Sequence, residues 1–316
     1  MTTTAGRRPY LLALGAVAFW STVASAFKLT LAHLQPVQLL LGSSVVSCLA
    51  LGLILLARGQ LGSLRLLNGR QWFRSAWLGG LNPTLYYWVL LQAYDRLPAQ
   101  EAQALNYSWA LVLTYLSVPL LGQRLRWTDI AAGLVCYGGV VVVATRGRPW
   151  ALDFADPIGT ALALGSTVIW ALYWIYNTRD DLDPVLRLFM NFCCAMPWIG
   201  VVVAIETWAW PGVGLESSLE IWVGAWQVVG AWQGWAGAAY IGLFEMGIPF
   251  VLWLTALRTA SNASRVSNLI LLSPFVSVLL IGHLVGETIL AATWIGLLLI
   301  MAGLGVQRWG AGRDVS

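Results

Sequence analysis

The chain has 316 residues, of which 10% are charged and 59% hydrophobic, with a net charge of +4 and a mean hydropathy of +0.72. A soluble domain carries about a quarter charged residues, so that class is excluded. The basic balance does not point to nucleic acid, because the arginines gather in the predicted loops, where they orient a membrane protein.

The apolar residues come in runs of about 18–23, the length that crosses the hydrocarbon core as a helix. Ten such runs are expected, at 10–28, 36–57, 73–93, 99–121 and 127–145, then 157–177, 185–206, 234–257, 262–284 and 288–307. Strand-length alternation is absent, which argues against an outer-membrane barrel. The first run is read as a retained span and not a cleaved signal peptide: it lacks a small-residue cleavage site, and a matching run recurs at 157.

Span 1 opens with Leu12-Ala13-Leu14-Gly15, four further residues and Trp20; span 6 opens with Leu162-Ala163-Leu164-Gly165, four further residues and Trp170. Leu34-Gln35-Pro36-Val37 before span 2 matches Leu182-Asp183-Pro184-Val185 before span 7. Leu121-Gly122-Gln123 after span 4 matches Val285-Gly286-Glu287 after span 9. The shared proline or glycine marks a helix boundary in each pair. Two five-span repeats, 10–145 and 157–307, therefore follow, and an odd number of spans per repeat inverts the second against the first. Setting the N-terminus inside puts every Lys and Arg except Lys28, Arg96, Arg146 and Arg148 on the inner face, which predicts N-in and C-in. The expected fold is an all-α polytopic membrane protein with ten transmembrane helices in a 5+5 inverted repeat.

Polar groups inside the spans are costly and so mark a cavity or a partner. In span 3, Asn82-Pro83-Thr84 precedes Tyr86 and Tyr87, and Asn82 and Tyr86 share a helical face. The proline suggests a break that lines a cavity, or a structural kink capped by Asn82. Span 4 carries Glu101, then Asn106, Tyr107 and Trp109; Glu101 reads as a solvated cap at the outer end. The Asn-Tyr-Ser-Trp cluster fits either substrate contact, where aromatic faces bind a cation and Asn106 both donates and accepts, or packing between helices. Trp170, Tyr173 and Asn177 run along one face of span 6. Loop 207–233 carries Trp208, Trp210, Trp222, Trp226 and Trp232 and reads as an outer interfacial anchor; a lid is the alternative.

Glu245 lies mid-span in Gly242-Leu243-Phe244-Glu245-Met246-Gly247-Ile248-Pro249. Pro249 removes a backbone hydrogen bond there. Glu245 is read as a ligand for a substrate ammonium, a proton carrier or both, against the alternative of a neutral, hydrogen-bonded link between helices. Asn268 and Ser273-Pro274 in span 9 are further lining candidates. Cys48, Cys136, Cys193 and Cys194 lie in spans without metal-ligand spacing and read as small hydrophobes. His33 and His283 show no ligand spacing either. No catalytic constellation, cofactor site or metal site is expected.

The 5+5 arrangement, Phe19-Trp20-Ser21-Thr22 and the Gly286-Glu287 step resemble the drug/metabolite transporter (DMT) superfamily in its EamA-type branch, over about 10–307. Asn106-Tyr107-Ser108-Trp109 and Trp170-Ala171-Leu172-Tyr173 are similar to stretches of its YddG-like aromatic amino-acid exporters. Ala110 stands where those exporters have proline, and Gln123 where the superfamily often has Glu. Span 8 departs from the exporter pattern. The resemblance implies a basket of ten helices with a central cavity lined by aromatics of spans 3, 4 and 6, and export of amino acids or related metabolites.

The expected protein is therefore a multi-pass carrier of the bacterial inner membrane whose two halves rock about a midplane site. The expected contacts are Trp20, Asn82, Tyr86, Asn106, Tyr107, Trp109, Trp170, Tyr173, Glu245 and Asn268, with proton coupling through Glu245. Its partners are a small-molecule substrate and the lipid bilayer, with no nucleic acid. A cationic drug, a sugar conjugate or a nucleoside is the alternative cargo; a pore or a non-transporting scaffold is the alternative class.

Overall fold

In a computed structural model the described residues are 7–151, 154, 156–177, 182–208, 231–260 and 266–312. All regular structure among them is helical. A helix lies at each of the ten positions expected to cross. α1 (Arg8–Leu31) and α2 (Pro36–Ala57) are followed by a 3-10 turn at Leu61–Leu66. The third position is split into α3 (Gly69–Gly79), a wide π turn (Gly80–Leu85) and α4 (Tyr86–Arg96). The fourth is split into α5 (Ala99–Asn106) and α6 (Trp109–Leu121), and α7 (Trp127–Ala144) and α8 (Pro157–Asn177) follow. After α9 (Pro184–Trp208), the eighth position is split into α10 (Ala231–Phe244) and α11 (Ile248–Thr259). The ninth joins a 3-10 turn (Asn268–Leu272), α12 (Ser273–Leu280) and a π turn (Ile281–Val285), and α13 (Ala291–Gly312) is last. Eight stretches are long and apolar enough to cross a bilayer, so the chain is a polytopic helical membrane protein. Position three is not among them, and position ten contributes only the shorter apolar helix Ala291–Gln307. Of the loop expected at 207–233, residues 209–230, with Trp210, Trp222 and Trp226, lie outside the described residues. Trp232 belongs to α10 and is 71% exposed.

The sequence punctuation acts where it stands. Pro36 and Pro184 each open a helix, because a missing N–H costs nothing in the first turn. The aspartates preceding a proline cap their helices. Asp156 Oδ1 accepts from the Ile158 and Gly159 amides, both at 2.9 Å, and Asp183 Oδ1 accepts from Val185 at 3.0 Å and Leu186 at 3.3 Å. Each also meets an arginine: Arg96 reaches Asp156 at 3.4 Å and Arg258 reaches Asp183 at 3.1 Å. The Gly159 amide first, and Arg96 after it, hold the Asp156 carboxyl below its ordinary pKa. Gly122 and Gly286 both end their segments in the left-handed region, at φ +69° and +77°, which glycine enters without a Cβ clash.

The chain divides into two compact units, Met1–Trp88 with Asp181–Ile270, and Val89–Asp180 with Leu271–Ser316. This division differs from that into 10–145 and 157–307, since each unit draws on both halves of the sequence. In unit 1, α1 packs on α10 and α11, α2 on α9 and α10, and α3 on α9. Ala13, Ala16 and Val17 of α1 bury against Trp253, Ala256 and Val266, with Trp20 at the margin. In unit 2, α13 packs along α7, and α8 packs on α5 and α6. The α7–α13 contact is a seam of small residues. A Cβ on Gly139 would lie 2.5 Å from the Gly296 carbonyl, and one on Gly303 would lie 2.7 Å from the Ala132 carbonyl. In lipid, where burial of apolar surface gives little drive between helices, close backbone approach of this kind supplies the attraction.

Candidate functional site

In unit 1 the site begins with two interrupted helices. Asn82 leaves the helical region (φ −143°, ψ 122°) because it precedes Pro83, whose ring pushes the preceding residue to extended backbone. Asn82 is 1% exposed, and neither its Oδ1 nor Thr84 Oγ1 meets a hydrogen-bond partner among the described residues. Asn82 Oδ1 thus accepts from no backbone amide among the described residues.

The second interruption is at Glu245. α10 ends one residue earlier, Gly247 leaves the helix at φ −114°, ψ −93°, and Pro249 sits in the first turn of α11. The Glu245 carbonyl would normally accept from the amide four residues on, which is a proline without N–H. The Trp20 indole donates to it instead, at 3.4 Å. Ser47 Oγ donates to the Met246 carbonyl at 3.0 Å. Tyr87 Oη donates to Glu245 Oε1 at 2.9 Å. Three helices thus hold this break through its own backbone and carboxyl, and Glu245 itself is only half-buried.

Tyr87 is the residue that sequence reasoning passed over in favour of Tyr86. The face shared by Asn82 and Tyr86 assumed an unbroken 3.6-residue period. The helix breaks within Gly80–Leu85, where Asn82 leaves the helical region, so that period does not carry across the break, and Tyr87 is the residue that meets Glu245. Tyr86 packs edge-on against Tyr87 with centroids 4.8 Å apart, and Tyr87 against Phe27 at 6.3 Å. Trp20 makes edge contacts with Phe250 at 5.4 Å and Trp253 at 5.5 Å. Asn268 lies exposed at the start of its 3-10 turn.

Unit 2 gathers the other predicted residues. Asn106, last in α5, donates through Nδ2 to Ser166 Oγ of α8 at 3.0 Å. Tyr107 and Ser108 form the turn between α5 and α6, and Trp109 opens α6. Trp109 meets Trp170 edge-on at 6.4 Å, and Trp170 stacks with Tyr173 at 5.7 Å. Asn106, Tyr107 and Trp109 are half-buried; Trp170 and Tyr173 are buried. The repeat-matched Trp20 and Trp170 thus each sit in an aromatic cluster, one in each unit.

Glu101 corrects its reading as a solvated cap. It is 2% exposed and accepts from Arg146 Nε at 2.7 Å; the ion pair is what lets the carboxylate leave water. The cap at this end is supplied instead by Glu287, whose carboxylate accepts from the Ala99 amide at 2.7 Å and the Gln100 amide at 3.3 Å at the start of α5. An acid at a helix N-terminus satisfies open donors and complements the dipole. Gln100 completes the clamp, accepting from the Leu290 amide at 2.9 Å and Thr293 Oγ1 at 2.7 Å.

The profile of the EamA-like transporter family matches the chain twice, over 7–145 and 157–307. The chain is 26% identical over 182 residues to the "Aromatic amino acid exporter YddG" of Ancylobacter novellus, covering 56% of each chain. It is 33% identical over 176 residues to the "Inner membrane protein YtfF" of Escherichia coli, covering 49% of this chain and 54% of that one. It is 24% identical over 227 residues to the "Uncharacterized transporter YvbV" of Bacillus subtilis, covering 71% and 68%. The matched stretches thus span little more than half the length of the first two relatives. A solved structure, titled "Crystal structure of protein", shares the fold with a TM-score of 0.63 at 23% identity, covering 98% of this chain and 99% of that one. With both parts of its sequence matched by the profile, the chain belongs to the EamA-like transporter family of the DMT superfamily.

Proposed function

We propose that this protein is a secondary transporter that exports amino acids or related small metabolites across the bacterial inner membrane by alternating access, as ten spans in a 5+5 inverted repeat with both ends inside. The observation that carries the reading is the meeting of two interrupted helices through the Tyr87–Glu245 hydrogen bond. Span 3 of the first repeat and span 8 of the second are corresponding positions. Paired interruptions at corresponding spans are where carriers of this plan expose polar backbone to a substrate. The carboxylate of the partly buried Glu245 supplies a counter-charge for a substrate ammonium and a seat for a coupling proton. Trp20, Asn82, Tyr86 and Asn268 are the other proposed contacts in unit 1, and Asn106, Tyr107, Trp109, Trp170 and Tyr173 those in unit 2. The similarity to an exporter of aromatic amino acids supports that substrate class.

Counterflow in proteoliposomes tests this. Vesicles loaded with an unlabelled amino acid should accumulate trace labelled phenylalanine, methionine or threonine. Glu245→Gln and Trp109→Ala should lose that accumulation while remaining folded and inserted. No accumulation by wild-type protein with any amino acid refutes the substrate class. An unchanged Glu245→Gln refutes the role of the carboxylate. The same carboxylate favours a cationic drug as the second reading, and such a cargo would compete in this assay without an amino acid's carboxylate.

A further inference from the structure

Cys48 of α2 and Cys193 of α9 are 145 residues apart in the chain, yet their sulfurs are 3.1 Å apart. The contact belongs to a longer one. Gly52, one turn further along α2, faces Phe189, one turn earlier on α9; a Cβ on Gly52 would lie 3.1 Å from the phenylalanine ring. Stepping four residues forward on one helix and four back on the other is the register of antiparallel helices in continuous contact. The two helices pack together within unit 1. Cys136 is fully buried and fits its reading as a small hydrophobe. Cys48 and Cys193 are both half-buried, so a small lipid-soluble reagent reaches them.

The same two helices clamp both interruptions. Ser47, the neighbour of Cys48, donates to the Met246 carbonyl in the break of span 8. Asn191 and Ala195, on either side of Cys193, press their backbone against Gly79 at the edge of the break in span 3. A Cβ on Gly79 would collide with the Asn191 carbonyl and lie 3.0 Å from the Ala195 amide nitrogen.

We propose that Cys48 and Cys193 are an oxidisable dithiol whose disulfide ties α2 to α9, holds both interruptions in one arrangement and switches transport off. The switching rests on the reading of these interruptions as the transport site. Two thiols lose two protons and two electrons as one S–S bond forms; a lipid-soluble quinone takes them and leaves as the hydroquinone. A dithiol restores the protein by exchange through a mixed disulfide.

The test uses the full chain in proteoliposomes, treated with a short-chain ubiquinone or with copper–phenanthroline. Peptide mapping without reduction should recover the Cys48 peptide joined to the Cys193 peptide, with Cys136 and Cys194 still open to maleimide after denaturation. Phenylalanine counterflow should fall to the level of protein-free vesicles and return with dithiothreitol. Cys48→Ser and Cys193→Ser should each keep untreated activity and resist the oxidant. A link made through Cys194, no link at all, or a linked protein that transports at the untreated rate overturns the proposal. Untreated protein that carries no amino acid refutes the substrate class and, with it, the switching of amino-acid transport, while the peptide map reports the cross-link independently.

Discussion

Replacing Tyr87 with phenylalanine removes one O–H and leaves the ring, so the edge contacts with Phe27 and Tyr86 persist while Glu245 loses its side-chain donor. A hydrogen bond to a charged group is worth about 1.5–3 kcal/mol. Glu245 is half-buried, which puts this bond at the lower end. Since about 1.4 kcal/mol is tenfold in an equilibrium constant, Tyr87→Phe should raise the half-saturating phenylalanine concentration about tenfold and leave the maximal rate unchanged. Counterflow with two competitors isolates the effect. Phenethylamine keeps the ammonium and lacks the carboxylate; 3-phenylpropionate does the reverse. The variant should weaken competition by the amine and not by the acid, and Tyr86→Phe should change neither. Equal weakening of both competitors would mean a loosened fold, and no weakening of the amine would refute the positioning of Glu245 by Tyr87.

Three further outcomes follow from the packing and charge pairs. Gly139→Ala forces a Cβ to within 2.5 Å of the Gly296 carbonyl and should destabilise the protein by about 1–3 kcal/mol in detergent melts. Gly138→Ala, which meets nothing within 4 Å, should not; equal melts for the two would refute the seam. Arg146→Ala leaves the buried Glu101 carboxylate alone, so it should lower the melting point more than the double variant Arg146→Ala/Glu101→Gln; a lower melt for the double variant contradicts this. Asp156, held below its ordinary pKa, contributes stability above the carboxylate range and loses it as pH falls through its lowered value. Asp156→Asn should therefore flatten the acid-side loss of stability below about pH 4, and an unaltered acid limb of the melting curve would contradict the cap.

The positions of the helices were legible because hydrophobic run length and the Pro and Gly boundaries are local signals. Pro36, Pro184, Gly122 and Gly286 act where they were expected to. The interruptions in spans 3 and 8 were legible too, since a proline's missing N–H and its effect on the preceding residue need no tertiary information. What escaped was long-range. Nothing local tells that Glu101 meets Arg146 or that Glu287 caps α5. Tyr86 was named on a face shared with Asn82, and a shared face does not carry across the break at Asn82. The thiols of Cys48 and Cys193 showed no shared spacing because their meeting is a property of helix register.

The interleaving of the two units also sets an order of synthesis. The second segment of unit 1 ends at Ile270, so every residue of that unit leaves the ribosome before the segment from Leu271 that completes unit 2. The Ala99 and Gln100 amides enter the membrane early and wait for Glu287, made 188 and 187 residues later, to close the start of α5. α7 likewise waits for α13, its principal packing partner. During that interval the first part of unit 2 holds an open helix end and an unfilled small-residue face, which makes the nascent chain dependent on the insertion machinery for the time it takes to translate spans 7 to 10.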